Sequence, residues 1–60
     1  MTLTPDRWLQ RYEARLIEKA HVSKQTAFEL SHATPFLELS DGFEDDPEEA
    51  ADEEMGYWTD

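Results

Sequence analysis

Eleven carboxylates and no basic residue lie between positions 35 and 60, from Glu38 to Asp60. A segment so charged repels itself and needs a positive counterpart before it can pack. Residues 1–34 hold all five bases (Arg7, Arg11, Arg15, Lys19, Lys24) against four acids (Asp6, Glu13, Glu18, Glu29), a net of +1. The formal charge of −10 is thus almost wholly a property of the second half. The chain reads as one near-neutral part able to bury a core and one part dominated by negative potential. The counterpart is either a basic surface on a protein partner or the chain's own basic face.

Sixty residues make one domain at most, and a chain this short buries only about 60% of its unfolded surface. Its core is small and its stability marginal. There are no cysteines, which removes disulfides and thiolate metal sites as supports and gives no reason to expect a secreted scaffold. Met1-Thr2-Leu3-Thr4-Pro5-Asp6 has neither a basic region nor an apolar run, so no signal peptide is expected. No stretch has the length of a membrane span, and a cytoplasmic location with no membrane partner is the expectation.

The first helix has a clear start. Thr4 can cap, Pro5 suits the first helical position, and Asp6 complements the positive end of the dipole. Trp8, Leu9, Tyr12, Leu16, Ile17 and Ala20 then recur at three- and four-residue steps, giving one apolar face over about residues 5–20. Arg7, Arg11, Arg15 and Lys19 form a second row at strict four-residue spacing. This row is a candidate dock for an acidic ligand or for the chain's own tail. Local pairs of Arg11 or Arg15 with Glu18 are its ordinary use on a solvated helix.

Ser23 caps a second helix over about 24–33, with Ala27, Phe28 and Leu30 expected inward, and Thr34-Pro35 stops it. Phe36-Leu37-Glu38-Leu39 reads as an extended packing segment and Ser40-Asp41-Gly42 as a turn. Asp46-Pro47-Glu48-Glu49 has the form of a capping box, and Ala50 through Met55 are good helix formers ending at Gly56. The fold expected is all-α. A helical hairpin with its packing segment fills residues 1–40, and an acidic, aromatic-ended segment fills 41–60. That segment carries a short third helix over about 46–55, partly ordered or folding on binding. Because the caps and apolar face of the hairpin lie within residues 4–34, the hairpin is expected to be helical without the tail.

Ala14 to Phe28 resembles a helix-turn-helix. The turn ends in Val22-Ser23 and is followed by Lys24-Gln25-Thr26, similar to the start of a recognition helix. The resemblance covers about twenty residues. It implies polar side chains facing phosphates and base edges. The chain departs from the pattern at His21, where glycine is usual, and no further basic helix follows. Its net charge opposes direct binding of nucleic acid, which is driven by phosphate neutralisation.

Asp46, Glu48, Glu49, Asp52 and Glu53 share one face of the third helix. Six carboxylates over about 13 Å of helix make one charge per about 2.2 Å, near the axial charge density of duplex DNA. Tyr57 and Trp58 follow directly, and large aromatics beside an acid run have the composition of a binding anchor. His21 and His32 lack zinc-site spacing and Asp41 to Asp46 lacks the pattern of a calcium loop, so no metal or cofactor is expected. A chain this small can hardly build the pocket that shifts a carboxylate's pKa for catalysis, and no enzyme is expected.

The leading functional expectation is therefore a small acidic interaction protein, a bacterial-type regulator or inhibitor. It would occupy a basic protein surface with Asp46, Glu48, Glu49, Asp52 and Glu53, anchored by Tyr57 and Trp58, in the manner of a nucleic-acid mimic. The alternatives are a helix-turn-helix-like DNA-associated protein restrained by its acidic tail, and a structural subunit that self-associates through helix one.

Overall fold

The computed structural model describes residues 3–58. Met1, Thr2, Thr59 and Asp60, which the readings of the two ends included, lie outside the described residues. Four helices and no strand occur among the described residues: α1 (Pro5–Ala20), α2 (Lys24–His32), α3 (Phe36–Leu39) and α4 (Pro47–Gly56). The fold is small and all-α. No helix of the described residues is long and apolar enough to cross a membrane.

Local chemistry accounts for most of the boundaries. The Thr4 hydroxyl accepts the Arg7 N–H at 3.3 Å, Ser23 Oγ accepts the Thr26 N–H at 3.1 Å, and Asp46 Oδ1 accepts the Glu49 N–H at 3.2 Å. Each cap satisfies a donor that the first helical turn leaves unpaired. The capping box of α4 forms only by half, because the Asp46 N–H is already given to the Phe43 carbonyl. At the end of α1, His21 takes the left-handed conformation (φ 58°, ψ 32°) and gives its N–H to Ile17 O. The residue standing where a helix-turn-helix usually has glycine thus adopts glycine's geometry, at a cost of about 1–2 kcal/mol for an L-residue.

Two sequence expectations fail in instructive ways. Phe28 points outward, 54% exposed, and stacks on His32 with ring centroids 4.1 Å apart. The face of α2 turned to α1 is instead Ala27 and Ser31, two small residues one turn apart that bury fully as the helices close together. The buried Ser31 hydroxyl is matched by Glu13 of α1, 2.7 Å away. The second correction concerns Phe36–Leu39, which is a short helix rather than an extended segment. Ser40 closes it by returning both its N–H and its Oγ–H to Phe36 O. Coiling lets Phe36 and Leu39 both face the core while Leu37, 83% exposed, faces water.

The core is centred on α1. Trp8, Tyr12 and Leu16 are buried, and with them Ala27 of α2 and Ala50 and Ala51 of α4. Trp8 stacks on Tyr12 at 5.3 Å and takes the edge of Phe36 at 5.5 Å. Its indole N–H donates to the Phe43 carbonyl at 2.8 Å, tying the loop before α4 over the first helix. Pro47 is buried as well. This core spans the boundary expected at residue 40, with α4 lying directly on the apolar face of α1.

That packing reverses the expectation for the isolated hairpin. A 1–40 fragment lacks Phe43, Pro47, Ala50 and Ala51, leaving the Trp8–Tyr12–Leu16 face open to water on one side. Its circular dichroism should show weak, non-cooperative helix, whereas residues 1–58 should melt cooperatively. A cooperatively melting fragment would mean that α4 adds little to the core. In the full chain, Trp8→Ala should cost about 3–5 kcal/mol by denaturant titration, a large part of the stability of a domain this size.

Candidate functional site

The positions of the acids on α4 follow from its helical repeat. Pro47 and Ala51 face inward and fix which side of the helix meets α1. Glu48 and Asp52, one turn apart, then fall along the edge of that contact, beside Arg11 and Arg15, themselves one turn apart on α1. Each arginine meets its carboxylate through a two-pronged hydrogen bond. Arg11 places Nε 2.8 Å from Glu48 Oε2 and Nη2 2.8 Å from Oε1. Arg15 places Nε 2.9 Å from Asp52 Oδ1 and Nη2 2.8 Å from Oδ2. Both pairs span 37 residues, so α1 and α4 run side by side in the same direction.

The basic row is therefore used within the chain, and not as its local spacing suggests. Neither Arg11 nor Arg15 forms an ion pair with Glu18. The planar guanidinium prefers a carboxylate that it can grip with two parallel N–H groups, and α4 presents two in register. Arg7 and Lys19 make no ion pair among the described residues. Lys19 still contributes to the field that favours the Asp52 carboxylate.

Docking divides the five carboxylates expected to form one binding face. Glu48 and Asp52 are engaged with α1. Asp46, Glu49 and Glu53 form an outer row, exposed and without a cation. Tyr57 is 74% exposed and Trp58 40% exposed, and neither belongs to the core around Trp8. Sequence reasoning missed the other side of α4, where Glu54 and Tyr57 stand one turn apart beside Glu38 and Asp41. Their i,i+3 spacing was visible, but not that α3 and its turn would fold alongside.

Ionisation reflects the same division. The hydrogen bonds from Arg15 hold the Asp52 carboxyl below its ordinary 3.8, and the same contact keeps the guanidinium protonated more firmly than usual. Glu49 is raised above its ordinary 4.5, first by sharing a hydrogen bond with Asp46, then by the charge of Asp46, with Glu53 and Asp52 adding to it. Burial, together with the charge of Glu54, pushes the Tyr12 phenol up to about 12.

One polar chain could be mistaken for catalytic machinery. His32 Nδ1 lies 2.9 Å from both Ser31 Oγ and the Phe28 carbonyl. With the Nδ1–H tautomer, His32 donates to the Phe28 carbonyl, and the Ser31 hydroxyl donates to Glu13, its shortest contact at 2.7 Å. Activating a serine nucleophile requires the opposite direction.

The chain matches no protein-family model, no curated protein and no solved structure.

The two shifted carboxylates set opposite pH arms. Glu49 binds its proton more tightly when folded, so its contribution is present below 4.5 and lost as pH rises through its raised value. Asp52 binds its proton less tightly when folded, so its contribution is present above 3.8 and lost as pH falls below that. Melting temperature should therefore peak in mild acid rather than at neutrality. Arg15→Met should flatten the acid arm, and Glu49→Gln the other. Thermal melts of the three proteins across this range check both arms.

Proposed function

We propose that this is a non-enzymatic interaction protein whose α4 face occupies a basic surface of a protein partner. The observation that carries the reading is the outer row: Asp46, Glu49 and Glu53 are exposed and make no ion pair among the described residues, while Arg11 and Arg15 are taken by Glu48 and Asp52. Like charges held together by a helix repel, and a cationic partner relieves that repulsion. Tyr57 and Trp58, both exposed at the C-terminal end of α4, supply the anchors.

Docking also changes what such a face imitates. With Glu48 and Asp52 engaged by arginines and Glu54 on the other side, three carboxylates remain on this face over about 12 Å of helix, a charge density well below that of duplex DNA.

A second reading keeps the helix-turn-helix resemblance. It is favoured by the occupation of Arg11 and Arg15 by Glu48 and Asp52, the contact an autoinhibited DNA-associated protein needs. Freeing those arginines also uncovers Trp8, Tyr12 and Leu16, which makes this the weaker proposal. For a self-associating subunit, the α1 face that would pair is already covered by α4.

Asp46→Asn, Glu49→Gln and Glu53→Gln together should slow association with a captured partner and flatten its dependence on salt. The same variant loses repulsion but also the charge of the Asp46 cap and of the first turn of α4, so its melting temperature should move little. Glu48→Gln with Asp52→Asn should melt lower. Trp58→Ala should instead speed dissociation, by about 2 kcal/mol if it is an anchor. Unchanged kinetics in both the outer-row and Trp58 variants would sink the proposal.

A further inference from the structure

The side of α4 away from the arginine dock forms a groove with α3 and the turn after it, of about 220 Å³. Its floor is apolar: Leu39 and Phe43 are half-buried there, and Tyr57 lies open at one end. Glu38 and Asp41 line one wall, and Glu53 and Glu54 the other. No base lines it, and none of these four carboxylates has an ion pair among the described residues. Glu54's uncompensated charge is felt as far as the Tyr12 phenol, which it helps to push up.

We infer that this groove receives an arginine side chain of the protein partner, its guanidinium among the carboxylates and its flat face toward Tyr57. The inference rests on the function proposed above and names what the partner must present. Three observations select arginine. The chain shows its own mode of recognition on the opposite edge of α4, where carboxylates one turn apart each take a guanidinium in a two-pronged grip. No group of three or more acids or histidines among the described residues converges closely enough to hold a metal ion, so the cation must spread its own donors. Lastly, an apolar floor with an exposed aromatic favours the weakly hydrated, stacking guanidinium and its aliphatic stem over a compact ammonium.

The test uses isotope-labelled full-length protein and two synthetic peptides of equal charge, one alternating arginine with leucine, the other lysine with leucine. The arginine peptide should shift the backbone amides of Glu38, Asp41, Gly42 and Tyr57 and bind more tightly than the lysine peptide. Tyr57→Ala with Glu54→Gln should weaken the arginine peptide about 5-fold or more and the lysine peptide little. Both changes are at exposed positions, and an unchanged melting curve shows that the fold persists. Shifts confined to Asp46 and Glu49, or equal affinity for both peptides, overturn the groove and leave the proposed function standing. No binding of either peptide at low salt overturns both.

Discussion

Everything in this fold is arranged around the indole of Trp8. One side chain stacks on Tyr12 of its own helix, receives the edge of Phe36 from α3, and donates its N–H to the loop before α4. Three segments that share no secondary-structure hydrogen bonds are thereby located against one ring. A short chain without cysteines has few other ways to achieve this, since seventeen large apolar side chains cannot fill several layers. A single large aromatic with a polar handle supplies area and direction together. The Phe43 carbonyl that accepts the indole also accepts the Asp46 N–H, so the tie over Trp8 and the start of α4 are the same event.

The two arginine forks have a different part. Both pairs are largely exposed, and exposed pairs add little stability of their own. What they do is choose. The fully buried row of α4 is Pro47, Ala50 and Ala51, all small, with Met55 packed beside them. Arg11 to Glu48 and Arg15 to Asp52 can be satisfied together only in one register and only with the helices parallel. Sliding by a turn leaves one arginine without its carboxylate. The forks thus add specificity to the packing of those small residues.

This division explains what could be read from the sequence. Helix starts were legible because caps are local: Thr4, Ser23 and Asp46 each act on an N–H three residues away. The burial of Trp8, Tyr12 and Leu16 was legible from their repeat. Phe28 was misread because size was taken as a sign of burial, whereas close approach of α2 selects small residues, Ala27 and Ser31. Phe36–Leu39 was too short for any period to declare itself. The acids of α4 looked like one face because a helical projection cannot tell which carboxylates meet arginines 37 residues earlier in the chain. The groove beside Tyr57 was invisible for the same reason: Glu38 and Asp41 join Glu54 only through tertiary packing.

The docking of α4 requires two carboxylates, and the structure accounts for those two. The remaining acids of α4 and the turn before it lie close together without a base among them, and the Glu49 carboxyl is raised by its hydrogen bond with Asp46 and then by that neighbour's charge. Net charge of this size destabilises a compact chain through self-repulsion, and solubility alone does not ask for the charge to be gathered on one helix. Nor does solubility explain why Tyr57 and Trp58 stand exposed at the end of that helix, where apolar area works against it. Under the proposed function, a surface that costs stability and returns none within the fold is accounted for by what it meets outside the chain. Rigid carboxylates are suited to that use, because a helix already fixed by Trp8 and two arginines loses little further freedom on binding.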